Sequence, residues 1–100
     1  MLELLIMRTL SRTGALHGFG IAEEIETLSE DVLRVEEGSL YPALQRLLVK
    51  GWIKGDWSRT EENRRARYYR VTAEGRKQVE REIQRYERIS GAVARVLQPA

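Results

Sequence analysis

Apolar residues recur at helical spacing in four segments of the chain and alternate with polar ones in two. In residues 2–12, Leu2, Leu4, Leu5, Ile6, Met7 and Leu10 cover nearly the whole circumference of a first helix. Such a helix needs neighbours on two sides. One is the domain's own core; the other is a second subunit, unless the helix runs through the centre of a monomer. After a break at residues 13–16, His17-Gly18-Phe19-Gly20 opens a second helix ending at Leu28 or Ser29. Ile21, Ala22, Ile25 and Leu28 form its inward stripe, and Glu23, Glu24 and Glu26 point outward. Residues 31–35 suit a small strand or an extended connector.

The third helix, within residues 36–52, organises the rest. Gly38-Ser39 marks its start, where the Ser hydroxyl can cap free N–H groups, and Pro42 suits a first turn that needs no N–H there. Lys50-Gly51 marks its end. Leu40, Leu44, Leu47 and Leu48 share one side, whereas Tyr41, Gln45 and Arg46 fall elsewhere. An aromatic hydroxyl, an amide and a guanidinium on an outward face can reach phosphates and base edges in a major groove. An ordinary solvated face is the simpler alternative for this helix taken alone.

Residues 52–57 and 66–71 have strand composition, and the charged stretch between them makes the pair a hairpin. Alternation puts Tyr69 and Val71 on the core face and Tyr68 and Arg70 on the other. Arg59, Arg64, Arg65 and Arg67 cluster around the tip, where Glu61 and Glu62 offer Arg64 and Arg65 local ion-pair partners as an alternative to an outside ligand. The last helix spans residues 72–97, capped by Thr72 and followed by Pro99. Val79, Ile83, Tyr86, Ser90, Val93 and Leu97 step 4, 3, 4, 3, 4, a heptad seam widened by Ile89 and Val96. At 1.5 Å per residue this helix is about 38 Å long, more than a small domain needs to cover itself. Its free end is therefore expected to pack on another chain.

Composition narrows the chemistry. One hundred residues with 42% apolar and 32% charged side chains make one globular domain, divided into residues 1–72 and a terminal helix, residues 73–100. The net charge of +2 hides an uneven distribution: residues 1–40 carry three basic against eight acidic side chains, and residues 41–100 fourteen against seven. Most of the basic residues are Arg, which suits a polyanionic partner. With no Cys, one His, no Gly-rich phosphate loop and no inward carboxylate cluster, neither a metal site nor a catalytic constellation is expected, and no cofactor. The lone His17 suits a helix cap or a packed position. No apolar run is long enough for a membrane span, and a cytoplasmic, nucleoid-associated protein is expected.

The order of helix, helix, recognition-type helix, hairpin and terminal helix is that of a winged helix-turn-helix, a mainly α fold with a small β hairpin (α+β). Three runs carry a resemblance over nearly the whole chain: His17-Gly18-Phe19-Gly20-Ile21, Glu37-Gly38-Ser39-Leu40-Tyr41-Pro42-Ala43-Leu44, and Arg67-Tyr68-Tyr69-Arg70-Val71-Thr72 followed by Gly75. With Arg46-Leu47 and Gly51-Trp52-Ile53, they resemble the PadR family of bacterial transcriptional regulators.

That resemblance implies a dimeric repressor of the shorter type, with a single C-terminal helix, that binds a palindromic double-stranded DNA operator. It puts Ser39, Tyr41 and Pro42 at the DNA-facing start of the third helix, Gln45 and Arg46 further along, and Arg64, Arg65 and Arg67 in the wing. Leu2, Leu5, Val79, Ile83, Tyr86, Ile89, Val93, Val96 and Leu97 are the candidate dimerisation residues. A small-molecule effector near the dimer interface also belongs to the family pattern, but the terminal helix has no Trp to sandwich a flat drug; Tyr86 is its one aromatic residue. A winged domain used for protein contacts, without DNA binding, is the rival reading.

Overall fold

The computed structural model describes residues 1–99. Four helices and three short strands follow in the order α1 (Leu2–Thr13), β1 (Leu16–His17), α2 (Gly18–Leu28), α3 (Glu37–Val49), β2 (Ile53–Arg59), β3 (Arg65–Val71) and α4 (Ala73–Leu97). The fold is the expected α+β winged helix-turn-helix, extended to 57 Å in its long direction by α4.

One apolar cluster holds the elements together. Ile6, Met7 and Leu10 of α1, Ile21 and Ile25 of α2, and Leu40, Ala43, Leu44 and Leu47 of α3 are buried with Ile53, Tyr69 and Val79. Each fully buried Leu or Ile contributes about 1.5 to 3 kcal/mol, as an upper estimate against an extended chain. The residues come from every main element, so helices and sheet form one core. The all-round apolar α1 is its centre and packs against α2, α3 and α4.

The sheet has a third strand that the apolar pattern does not reveal. Leu16 and His17 pair antiparallel with Tyr69 and Tyr68, giving the order β1-β3-β2. Two residues are too few for an alternation to be legible. Along the hairpin, Ile53 faces Val71, Gly55 faces Tyr69, Trp57 faces Arg67 and Arg59 faces Arg65. Tyr69 is buried and Val71 packs on the core, as the alternation requires.

Two local expectations are corrected. Residues 31–35 form neither strand nor extended connector but part of a hydrogen-bonded turn. Glu30 and Asp31 take left-handed backbone angles, and the Glu26 carboxylate accepts the Val35 N–H at 2.9 Å. The start of α3 also lies earlier than Ser39. Glu36 is the N-cap residue and makes no side-chain cap bond, so Ser39 lies inside the first turn and Pro42 is the sixth helical residue. Pro42 consequently leaves the Gly38 carbonyl without its intrahelical donor. His17 and Thr72 do cap, accepting the Gly20 N–H at Nδ1 and the Gly75 N–H at Oγ1, each at 3.0 Å.

Candidate nucleic-acid interface

Helical geometry sorts the polar residues of α3 into two groups. At about 100° per residue, Gln45 lies about 40° round the helix from Tyr41, whereas Arg46 lies about 140° away. Tyr41 and Gln45 are exposed on the outer face opposite Leu40, Leu44 and Leu47. Ser39, Pro42 and Arg46 turn toward the N-terminus of α1 and line a shallow recess with Leu2 and Glu3. The candidate residues of α3 therefore do not act as one set.

Tyr41 instead joins the wing. It lines an open depression of about 780 Å³ with Phe19 at the start of α2 and with Trp57, Arg64, Arg65 and Arg67 of the hairpin. Three guanidinium groups against one carboxylate, Glu62, make this the cationic face of the domain. Among the described residues, Arg64 and Arg65 form no ion pair with Glu61 or Glu62. The loop is closed by its own backbone: the Thr60 N–H donates to the Arg64 carbonyl at 2.8 Å, and Asn63 takes the left-handed angle the turn needs.

The wing cations are held differently from one another. Arg65 stacks on the exposed Trp57 ring, its Cζ 4.5 Å from the centroid. Arg67 is half-buried, lies 5.8 Å above the Tyr69 ring, and fits over Gly55, where any side chain would displace it. Its Nε is buried with no hydrogen-bond partner among the described residues. Burial raises the pKa of the Tyr69 hydroxyl, and the Arg67 charge offsets part of that rise. Arg67 is thus a partly desolvated cation with little freedom, and Arg64 a free one at the tip.

Phe19 and Trp57 are the residues that sequence reasoning did not assign to the site. Phe19 is 71% exposed although it opens a helix beside the core. The signal for Trp57 was available: strand parity places it on the same face as Arg67, directly opposite.

At the other flank of α3, Glu3 of α1 accepts from Arg46 Nε at 2.6 Å and from Lys50 Nζ at 3.2 Å. Partial burial raises the Glu3 pKa, but hydrogen bonds and charge from Arg46 and Lys50 outweigh it and leave the carboxyl below its ordinary value. Among the described residues, no group of His, Cys, Asp and Glu is arranged to hold a metal ion. None of the described helices is long and apolar enough to cross a membrane.

The candidate dimerisation residues divide along α4. Val79 is buried and Ile83 packs on the domain's own core, as do Leu2 and Leu5 of α1. Beyond them, Tyr86, Ile89 and Val93 are each about half exposed, and Val96 and Leu97 more so. The first half of the heptad seam closes the small core, and the second half stands clear. Between α1 and α4 runs a groove lined by Leu4, Met7, Trp52, Tyr86 and Ile89, with Glu3 and Lys50 at its side.

Comparisons with known proteins agree with this architecture. A structure of a transcriptional regulator from Clostridium thermocellum superposes with a TM-score of 0.86 at 27% identity, over 96% of this chain and 92% of that one. Bacillus subtilis PadR in complex with operator DNA has a TM-score of 0.72 at 20% identity, over 83% of this chain and 46% of that one. A 37.1 kDa protein in transposon TN4556 of Streptomyces fradiae is 40% identical over 80 residues, which are 80% of this chain but 21% of that protein's length. The model of the transcriptional regulator PadR-like family matches residues 6–81, and the chain belongs to that family.

Proposed function

We propose that this chain is a sequence-specific, double-stranded DNA-binding repressor that works as a homodimer on a palindromic operator. The observation that carries this reading is the shared depression of Tyr41 with Arg64, Arg65 and Arg67. It puts an outward α3 residue able to meet base edges beside cations able to meet the phosphate backbone. The Bacillus subtilis structure, similar in fold, was solved with operator DNA. In this reading Tyr41 and Gln45 read bases, Arg64 and Arg65 neutralise phosphates, and Arg67 is fixed at the junction.

Support for the dimer comes from the exposed apolar stripe of Tyr86, Ile89, Val93, Val96 and Leu97, which continues a heptad seam past the end of the domain's own core. Two copies joined there would present their α3 helices to successive major grooves, about 34 to 36 Å apart. Release would follow from an effector, or from loss of the dimer, that tilts the winged domains and breaks the spacing.

Selection of bound fragments from random DNA at fixed salt, with the mass of the protein measured in solution, tests the proposal. A two-fold symmetric consensus bound by two copies is expected. A single-copy protein with no DNA preference overturns it and favours the protein-contact alternative.

A further inference from the structure

Arg46 and Lys50 are the two cations near the C-terminal end of α3, and neither faces the depression that Tyr41 shares with the wing. Both converge on one carboxylate of another helix. Glu3 Oε1 takes Arg46 and Oε2 takes Lys50, and the Lys50 ammonium also lies 4.8 Å from the centroid of the Trp52 ring. The Glu3 side chain is 24% exposed, against 55% for Arg46 and 45% for Lys50. The acceptor is thus held in place while both donors remain in contact with solvent.

Geometry then sets a competition. With a duplex against the face of Tyr41 and Gln45, Arg46 starts about 140° round the helix, aimed at α1. It must swing away from Glu3 to reach a phosphate. Carboxylate and phosphate oxygens make the same kind of charge-assisted hydrogen bond to a guanidinium, and an ion pair this exposed is weak enough to exchange. We propose that Glu3 is an internal competitor for the DNA backbone, occupying Arg46 and Lys50 in the free protein and yielding them to phosphates when α3 docks. The proposal rests on the DNA-binding reading above. It makes Glu3 a positioning residue that limits indiscriminate attraction to DNA: α3 offers its full charge only where the duplex is close enough to displace a carboxylate.

The test is DNA binding by the full-length protein as a function of salt, using the selected operator and a random duplex of equal length. Glu3→Gln is expected to tighten both complexes, the random one by about five- to tenfold, and to steepen the log–log salt dependence by about 0.9 for each cation released to a phosphate. Arg46→Gln added to Glu3→Gln removes most of the gain. Glu80→Gln makes the same change in net charge on the exposed side of α4, so it leaves the salt slope unchanged. A wild-type protein that binds operator while Glu3→Gln leaves the slope unaltered or shallower overturns the proposal alone. A wild type with no salt-dependent binding to any duplex overturns the DNA-binding reading and the proposal together. A thermal melt of each variant shows whether a loss of binding reflects unfolding. Should Glu3→Gln unfold, Glu3→Asp, one methylene shorter and unable to hold both cations, is expected to give the same steeper slope, and an unchanged slope overturns the proposal.

Discussion

Gly75, in the first turn of α4, lies directly against the main-chain carbonyl of Trp52, which accepts the Thr72 N–H at 3.0 Å. A methyl group on Gly75 would overlap that carbonyl oxygen and also crowd Val71. The contact sets the angle at which α4 leaves the winged domain. Gly75→Ala is therefore expected to destabilise the fold by about 1 to 3 kcal/mol, the usual range for overpacking a closed site, seen as a lower urea midpoint. The displaced α4 should also weaken operator binding more than binding to a random duplex, because only the operator demands a fixed spacing.

Self-association should depend on the outer half of the seam. Val93→Asp puts a charge on a stripe the domain does not use for its own core, so the monomer should keep its melting temperature within a few degrees. Its mass in solution should fall to that of one chain, 11.6 kDa. Val79→Asp, by contrast, buries that charge inside the monomer and should unfold it.

The two sides of the depression should respond to different measurements. Arg64→Ala should weaken binding to all sequences alike and reduce the salt slope by about 0.9. Gln45→Ala should leave that slope nearly intact and change the selected consensus, a difference that repeated selection reads directly.

Acid should remove the tie between α1 and α3. The folded pKa of Glu3 lies below its ordinary value of 4.5. The stabilisation is therefore complete above that value and disappears as the pH falls through the lower, folded one. Its size at neutral pH is that of an exposed ion pair, about 0.5 kcal/mol. The difference in urea midpoint between wild type and Glu3→Gln should be small at pH 7 and vanish near pH 2.

Long periodic elements were legible because burial selects one face over many residues. The four helices, the hairpin and the core positions of Leu40, Leu44, Leu47 and Tyr69 followed from spacing. Short features were not. β1 is two residues that gain a strand partner only once the chain has folded. The start of α3 was misjudged because Gly38-Ser39 has the composition of a cap, while tertiary packing begins the helix at Glu37. Tyr41 and the wing arginines were legible as surface chemistry, but their meeting across the domain was not. Neither was the diversion of Arg46 to Glu3, 43 positions away in sequence.

The strand order β1-β3-β2 also bears on how the protein avoids aggregating. β3 carries the aromatic pair Tyr68-Tyr69 and is hydrogen-bonded on both edges. The outer edges belong to a two-residue strand and to β2, which carries Lys54, Asp56 and Arg59. Such an edge is a poor template for a strand of another molecule. A protein with an adhesive helix face can be kept at high concentration only if its sheet does not add a second, open-ended mode of association, and here the short N-terminal strand closes the more adhesive edge.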